Sequence, residues 1–418
     1  MTAIGNSFQS RTLVLLFFSF CKRTPFINTQ KYYPFSVQQD FTMPGLLLKI
    51  LFVPGIMNVS FCIREKAMRK EELQAAVPLI VGWYKKVKRN LPWRADASPY
   101  HVWLSETMLQ QTRIETVIPY YERFLSQLPT IESLSEVDDE KLMKLWEGLG
   151  YYSRVRNLKK AAQTVVSVYG GELPQTADEL KKLPGIGEYT AGAIASIAFG
   201  QPEPAVDGNV LRVIMRLTAC DADIMQPKVK REVTALLREI YPGGKDAAAL
   251  TEGIMELGEV VCIPNGEPKC TACPLNTLCR ACLAGETERY PVRSEKKKRK
   301  TEKRTVFLLF CGDKIALHRR ENSGLLAGMW EFPNAEGRMT IKEAETFLSQ
   351  AGVEPMSCEP CGTAKHIFTH IEWHMNGYRV ECGTESPQFE WKTAEEILQN
   401  CALPSAFRFY RKLLEKDK

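Results

Sequence analysis

The chain has 418 residues, of which 44% are hydrophobic and 25% are charged, a composition typical of a folded protein with two or three domains. It has no run of about 18 apolar residues, which argues against a membrane-spanning protein. The net charge of +6 is compatible with a polyanionic partner without requiring one. In a chain of this size, the thirteen cysteines are expected to act as thiols or metal ligands rather than as disulfides.

Residues 1–67 differ from the rest of the chain, because well-patterned sequence begins only near Met68. We expect an N-terminal extension that is disordered or derives from a non-native start. The alternative is a signal or organellar presequence, since an apolar segment follows Arg11 and no acidic residue precedes Asp40. The predicted location is cytoplasmic and nucleoid-associated, or organellar under that alternative.

The segment 68–284 has the pattern of a mostly α-helical region. Apolar residues recur at helical spacing over 71–88, and two prolines interrupt the pattern in 90–100. Helical periodicity then continues from Val102 to about 257, with short breaks at glycine or proline.

The segment 305–418 has a different pattern. Before it, 285–304 is rich in lysine and arginine and lacks apolar periodicity, which indicates a solvated basic linker. Strand pairs are predicted around Gly312-Asp313 and around Asn376-Gly377, because both dipeptides are typical of hairpin turns. One helix is predicted over 340–352, so this domain is expected to be α+β.

A short glycine-containing sequence, LPGIG, predicts a tight turn between two helices. Proline ends the first helix, the glycines accept backbone angles closed to other residues, and a second helix follows. Phosphate could approach the exposed backbone N–H groups of such a turn, so both a DNA-backbone clamp and an ordinary packing corner fit. The turn consists of Leu183, Pro184, Gly185, Ile186 and Gly187.

Two acidic residues occupy positions suited to catalysis. Glu106 is a single acid among apolar residues of a predicted helix, and Asp207 lies on a turn before a new helix. Both also have ordinary interpretations, Glu106 as a surface or capping glutamate and Asp207 as a helix N-cap. These residues alone leave the choice open.

Four cysteines with the spacing Cys-x7-Cys-x2-Cys-x5-Cys close the helical region: Cys262, Cys270, Cys273 and Cys279. Four thiolates in loops suit either tetrahedral zinc or an iron–sulfur cluster. Cys282 is a fifth thiol that could compete for the last ligand position.

Taken together, SETMLQQT around Glu106, LPGIGEYTAG, VDGNV and the four cysteines resemble the helix-hairpin-helix DNA glycosylases of the endonuclease III superfamily, and within it the MutY-type adenine DNA glycosylases. The resemblance extends from about residue 69 to the C terminus. It implies a mostly α catalytic region followed by an α+β Nudix-like domain. The catalytic region would comprise a six-helix part at about 95–200 and a cluster part formed by 68–94 and 201–284.

The resemblance implies that the four cysteines hold a [4Fe–4S] cluster, although the first two are one residue further apart than is usual. It also implies that Glu106 protonates adenine N7 and that Asp207, oriented by Asn209, stabilises an oxocarbenium-like sugar. Bifunctional members have a lysine where Tyr189 stands, and tyrosine cannot form a Schiff base, so a monofunctional enzyme is expected. Leu211 replaces a lysine common in the family, so no lysine contact to the sugar is expected.

Further site residues are implied in the same way. They are Trp93, Arg94 and Glu252 in the adenine pocket, Gln111 and Thr112 in the space left by the extruded adenine, Tyr151 as a wedge beside the opposite base, and Phe368, Thr369 and His370 in the 8-oxoguanine recognition loop. The expected partner is double-stranded DNA with an A:8-oxoguanine or A:G mispair, bound by a monomer without a membrane.

Three alternatives are weighed against this interpretation. A bifunctional glycosylase/AP lyase is opposed by Tyr189. A Nudix pyrophosphohydrolase needs closely spaced REx2E-type glutamates, whereas the helix at 340–352 has only Glu343 and Glu345. A noncatalytic DNA-binding module would leave Glu106 and Asp207 at the matched positions unexplained.

Overall fold

The computed structural model describes residues 40–43, 46–49, 66–295, 298–321 and 323–416. The chain divides after Glu65 into two units. In the first unit, strands β1 (Asp40–Met43) and β2 (Leu46–Lys49) form an antiparallel pair. The expected N-terminal extension or presequence, residues 1–67, lies outside the described residues except for these two strands and the start of the first helix. No helix in the described ranges is long and apolar enough to cross a membrane.

The second unit begins with a helical region, as predicted. Its helices are α1 (Lys66–Val87), α2 (Pro92–Ala95), α3 (Pro99–Leu109), α4 (Ile114–Gln127), α5 (Ile131–Glu136), α6 (Asp139–Leu145), α7 (Ser153–Tyr169), α8 (Ala177–Leu180), α9 (Glu188–Ile197), α10 (Gly208–Thr218), α11 (Pro227–Arg238), α12 (Lys245–Val260) and α13 (Arg280–Leu283). The core of this region contains the fully buried side chains of Trp103, Phe124 and Trp146.

The C-terminal part is an α+β domain, also as predicted. Its elements are β3 (Lys300–Cys311), β4 (Lys314–Arg319), β5 (Trp330–Glu331), β6 (Asn334–Glu336), α14 (Ile341–Gln350), β7 (Pro355–Ile367), β8 (Ile371–Cys382), β9 (Glu390–Thr393), α15 (Ala394–Asn400) and α16 (Arg408–Lys416). The sheet order is β5-β4-β3-β8-β7, with β6 paired to β3 and β9 to β4.

Both faces of this sheet are covered. Strand β3 alternates, so that Val306 and Leu308 belong to one apolar cluster, whereas Phe307 and Leu309 belong to another on the opposite face. The hairpin predicted at Gly312-Asp313 is confirmed, because β3 and β4 pair as neighbouring antiparallel strands.

The basic linker was predicted to extend to residue 304, and this is wrong for its last five residues. Lys300–Arg304 begin strand β3 and pair in parallel with Ile371–Met375 of β8. The indole N–H of Trp373 donates to Glu302, and the Arg304 guanidinium lies 4.3 Å from the Trp373 ring centre. The charged side chains are thus satisfied by strand partners, a long-range effect that the local charge pattern does not reveal.

The hairpin predicted at Asn376-Gly377 is also wrong, because both residues lie inside the continuous strand β8. The strand has neighbours on both sides along its length, β3 in parallel and β7 in antiparallel. Gly377 is required for packing rather than for a turn, since a Cβ there would lie 2.2 Å from a ring carbon of Tyr410.

Candidate active site

A cavity of about 170 Å³ lies where α2, α3, α9 and α12 meet the start of α10. It brings together eight of the residues predicted from the sequence: Trp93, Arg94, Glu106, Thr112, Tyr189, Asp207, Asn209 and Glu252. These residues come from five separate segments, so the cavity is a product of helix packing. The two carboxyl groups of Glu106 and Asp207 therefore face one enclosed space.

Glu106 is buried because α3 is apolar on all sides. Its neighbours Leu104 and Met108 are fully buried, and Glu106 itself is only 6% exposed. Burial raises the pKa of this carboxyl to about 7, and the negative charges of Asp207 and Glu252 act in the same direction. At neutral pH a large share of Glu106 is therefore protonated, which is the state that a proton donor requires.

Tyr189 forms a hydrogen bond with Glu106. Its hydroxyl donates to Glu106 Oε2 over 2.6 Å. This bond favours the ionised carboxylate and so opposes part of the rise in the Glu106 pKa. Burial, followed by the charges of Glu106 and Asp207, raises the pKa of Tyr189 well above its usual value, so the phenol remains a donor.

Asp207 is the N-cap of α10, and it also faces the cavity. Its Oδ1 accepts from the backbone N–H of Val210 at 2.8 Å, and its Oδ2 accepts from the Asn209 amide at 2.9 Å. Burial raises the pKa of Asp207. The hydrogen bonds from the Val210 N–H and the Asn209 amide favour the ionised carboxylate and oppose that rise. The N-cap interpretation of Asp207 is thus confirmed, and the cap fixes the carboxylate at a position where it lines the cavity.

An acidic pair four residues apart on α12 holds Arg94. The Arg94 Nη2 lies 2.8 Å from Glu256 Oε2, and its Nε lies 3.4 Å from Glu252 Oε1. Tyr84 donates to the other oxygen of Glu252 at 2.9 Å. Glu256 is 1% exposed and was missed by sequence reasoning, although its i,i+4 spacing from Glu252 indicates that both face the same side.

Two of the residues predicted to contact the DNA lie on strained turns. Gln111 (φ 60°) and Tyr151 (φ 47°) adopt left-handed backbone angles, which are unfavourable for residues with a side chain. Arg154, a buried residue that sequence reasoning missed, holds both turns. Its guanidinium donates to the carbonyls of Gln110 and Gly150, among others.

The LPGIG turn has two different glycines. Gly185 has φ +79°, and a Cβ there would lie 2.6 Å from the Asn157 Cβ, so this position requires glycine for the fold itself. Gly187 precedes α9 with φ −92°, and a Cβ there would meet nothing within 4 Å. Leu183 and Ile186 anchor the turn in the core, whereas Pro184 lies between them at the surface boundary.

The FTH segment lies between β7 and β8. Phe368 packs edge-on against Trp373, with ring centres 4.9 Å apart, so its ring has a structural role. Thr369 and His370 are exposed. The Thr369 Oγ1 lies 3.0 Å from the hydroxyl of Tyr151, which brings the segment next to the residue predicted to wedge the DNA.

The four predicted cysteine ligands lie in loops beside α10. Arg216 donates to Cys262 Sγ at 3.3 Å, and the Leu275 N–H donates to Cys273 Sγ at 3.4 Å. Burial, together with the thiols of Cys282, Cys279 and Cys262, raises the pKa of Cys270 to about 11, so these groups interact. Within the described ranges, no three His, Cys, Asp or Glu side chains are placed to hold a single metal ion.

A buried arginine joins the cysteine loop to the cavity. Arg212 donates to the Asn209 side-chain oxygen at 2.8 Å and to the Cys262 carbonyl at 2.7 Å. Asn209 in turn holds Asp207. Sequence reasoning did not find Arg212, because an arginine within a helix usually indicates a solvated face.

Family models match both parts of the chain. The model of the HhH-GPD superfamily of base excision DNA repair proteins matches residues 104–241, and the NUDIX domain model matches residues 305–415. The LPGIG turn lies within the first match, and the cavity of Glu106 and Asp207 is lined by residues within and beside it. The protein is therefore a helix-hairpin-helix DNA glycosylase, an enzyme that hydrolyses N-glycosyl bonds in DNA during base excision repair.

Curated relatives narrow the assignment. The chain is 35% identical to the adenine DNA glycosylase of Homo sapiens, over 79% of this chain and 73% of that protein. It is 33% identical to that of Schizosaccharomyces pombe, over 70% and 78%. A solved endonuclease III trapped covalently on DNA is 27% identical, with a TM-score of 0.44, over 52% of this chain and 98% of that one. The chain belongs to the adenine DNA glycosylase family.

Proposed function

We propose that the protein removes adenine mispaired with 8-oxoguanine or guanine from duplex DNA, by hydrolysis and without cutting the strand. The observation that carries this proposal is the cavity shared by Glu106 and Asp207, which Tyr189 also lines. By the family resemblance, Tyr189 stands where bifunctional members have a lysine nucleophile. We propose that the protein acts as a monomer.

Adenine leaves its sugar slowly unless the purine ring is protonated. Glu106 supplies that proton to N7, because its pKa near 7 leaves the acid form populated at neutral pH. Arg94 and Glu252 line the same cavity and offer a donor and an acceptor to the base edge. The target nucleotide reaches this cavity only when it is flipped out of the duplex.

Asp207 stabilises the positive charge that develops on the sugar as the C–N bond breaks. The Val210 N–H and the Asn209 amide hold both of its oxygens, so little reorganisation is needed. The same carboxylate could trap the sugar covalently before water completes hydrolysis, as in retaining glycosidases. Either route needs one proton donor and one carboxylate anion, and Glu106 and Asp207 supply them.

The test uses a duplex with adenine opposite 8-oxoguanine. Hydrolysis by a monofunctional enzyme produces strand breaks only after alkali, whereas a lyase cleaves the strand without it. Borohydride trapping provides the second measurement, since a stable enzyme–DNA adduct would establish Schiff-base chemistry despite Tyr189. Intact duplex after alkali treatment would contradict the proposed activity.

The pH dependence of the reaction reports the Glu106 proton. Activity requires the acid form, so the rate at subsaturating enzyme is expected to fall as pH rises through about 7. Tyr189→Phe removes a bond that favours the carboxylate, so the Glu106 pKa increases and the alkaline limb moves to higher pH. Tyr169→Phe is the control, because Tyr169 donates to Glu179 outside the cavity. If the alkaline limb of the pH–rate profile lies at the same pH in Tyr189→Phe and in wild type, this role of Tyr189 is contradicted.

The C-terminal domain is proposed to recognise 8-oxoguanine through Thr369. The exposed hydroxyl of Thr369 lies beside Tyr151 and can form a hydrogen bond with the lesion. Thr369→Ala is expected to lower the ratio of A:8-oxoguanine to A:G single-turnover rates about three- to tenfold, the worth of one hydrogen bond. Thr363→Ala, an exposed threonine of the preceding strand β7, is the control. An unchanged ratio would remove Thr369 from recognition.

We propose further that Cys262, Cys270, Cys273 and Cys279 hold a [4Fe–4S] cluster. N–H donors from Arg216 and Leu275 reach two of the sulfurs, as expected around thiolate ligands. When bound, the cluster would join the cysteine loops to α10. In this role it would supply structure rather than a step in base removal.

Cluster binding is tested by metal content. Purified protein is expected to contain about four iron atoms and four sulfides per chain, and Cys273→Ser should lose most of both. Cys358→Ser, in the Nudix-like domain, should retain them. One zinc ion per chain with no sulfide would instead establish a zinc site.

A further inference from the structure

An ion pair at the end of α6 joins the helical region to the Nudix-like domain. Glu147 Oε1 accepts from the Leu403 N–H at 3.0 Å and from Arg411 Nη1 at 2.7 Å. Its other oxygen lies 2.8 Å from Lys144 Nζ. The Glu147 side chain is only 11% exposed, so these contacts are shielded from water. We call Lys144 and Glu147 the interdomain anchor.

Lys144 satisfies the end of a helix in the other domain. Its ammonium donates to the Leu398 carbonyl at 2.7 Å and to the Cys401 carbonyl at 3.1 Å, at the C-terminal end of α15. The last carbonyls of a helix have no partner within it, and a cation there also complements the helix dipole. Lys144 thus stabilises the C-terminal end of α15 by donating to carbonyls that have no partner within the helix.

Apolar contacts surround the anchor. Met329 and Ala402 of the Nudix-like domain are buried in the same core cluster as Trp146 and Leu149 of the helical region. The two domains therefore share a packed contact, and the charged anchor gives that contact its orientation.

The anchor is continuous with the loop that carries Tyr151. The Glu147 carbonyl accepts from the Tyr120 hydroxyl at 2.8 Å, and Tyr151 follows four residues later. Tyr151 then lies 3.0 Å from the Thr369 hydroxyl. One short segment of the helical region thus contacts the Nudix-like domain at two places, once through the anchor and once at the proposed lesion-reading threonine.

From this arrangement we propose that Glu147, assisted by Lys144, is a positioning residue for mispair selectivity. It holds the Nudix-like domain so that Thr369 stands beside Tyr151, where the base opposite the target adenine is read. This inference rests on the proposed function. Glu147 does not line the cavity of Glu106 and Asp207 but a separate groove of about 1020 Å³ between the domains, so its effect is on selectivity rather than on bond cleavage.

The test compares Glu147→Ala with wild-type protein on A:8-oxoguanine and A:G duplexes, using the full chain in single-turnover experiments. The variant is expected to retain the A:G rate within about twofold and to lose at least about fivefold in the ratio of the two rates, because the lesion contact depends on geometry. Glu147→Gln, which keeps an acceptor for the Leu403 N–H, is expected to have an intermediate ratio. Glu122→Ala, an exposed glutamate of α4, is the matched control.

Hydrogen–deuterium exchange provides a readout that does not depend on activity. Peptides covering residues 398–411 are expected to exchange faster in Glu147→Ala than in wild type, with no change in peptides of α9 or α12. Arg411→Gln removes a contact from the other side and should reproduce both the exchange and the loss of selectivity.

The outcomes separate this inference from the proposed function. A wild-type enzyme with equal rates on both duplexes overturns the proposed lesion recognition, and the inference with it. A selective wild-type enzyme whose ratio survives Glu147→Ala overturns the inference alone. A parallel fall of both rates also overturns it, because that result indicates general destabilisation.

Discussion

Glu106→Gln is expected to lower single-turnover adenine release about 10²- to 10⁴-fold, the usual contribution of a positioned general acid. Glutamine occupies nearly the same volume and can still accept the Tyr189 hydrogen bond, but it has no proton of suitable acidity for N7. Binding to the mispaired duplex, measured by fluorescence anisotropy, should change little. Multiple-turnover release at the wild-type rate would exclude Glu106 as the proton donor.

The same variant should be at least as stable as the wild type. Folding raises the Glu106 pKa from 4.5 to about 7, so the folded state disfavours the ionised form. The wild type therefore loses stability as pH rises from about 4.5 to about 7, and glutamine removes this penalty. The Tm difference, measured by calorimetry, should favour the variant, increase over this pH range and stay constant above it. Glu179→Gln, which disrupts a Tyr–Glu pair outside the cavity, should show neither the loss of activity nor this pH-dependent gain.

Asp207→Asn is expected to lower the rate about 10²- to 10³-fold, because the charge that stabilises the sugar cation is lost. Asparagine is as good an N-cap as aspartate, so α10 should remain capped and Tm should stay within a few degrees. The single-turnover rate and the melting curve together distinguish a catalytic role from a capping role.

A matched N-cap provides the control for this prediction. Asp138 caps α6 through the N–H groups of Glu140 and Lys141 and lies far outside the cavity lining. Asp138→Asn should leave both rate and Tm nearly unchanged. Loss of stability in Asp207→Asn that accounts for the loss of activity would reduce Asp207 to a structural residue.

The overall architecture followed from local patterns. Helical periodicity, the basic segment and the strand pattern predicted a helical region followed by an α+β domain, because these periodicities reflect which face of each element is buried. The hairpin at Gly312-Asp313 was predicted from a dipeptide that is typical of tight turns between strands. At Asn376-Gly377 the same local rule failed, because strands on both sides of β8 and the ring of Tyr410 determine the conformation there.

Within the site, local patterns predicted the residue types and their order: an embedded acid, a glycine turn followed by tyrosine, and an aspartate before a helix. Their partners depend on helix packing, which joins Tyr189 to Glu106, Glu256 to Arg94 and Arg212 to the Cys262 loop. The reason is physical. Backbone angles and periodicity depend on neighbours in the chain, whereas a pKa near 7 or an interdomain ion pair depends on groups tens to hundreds of residues apart that packing brings within a few ångströms.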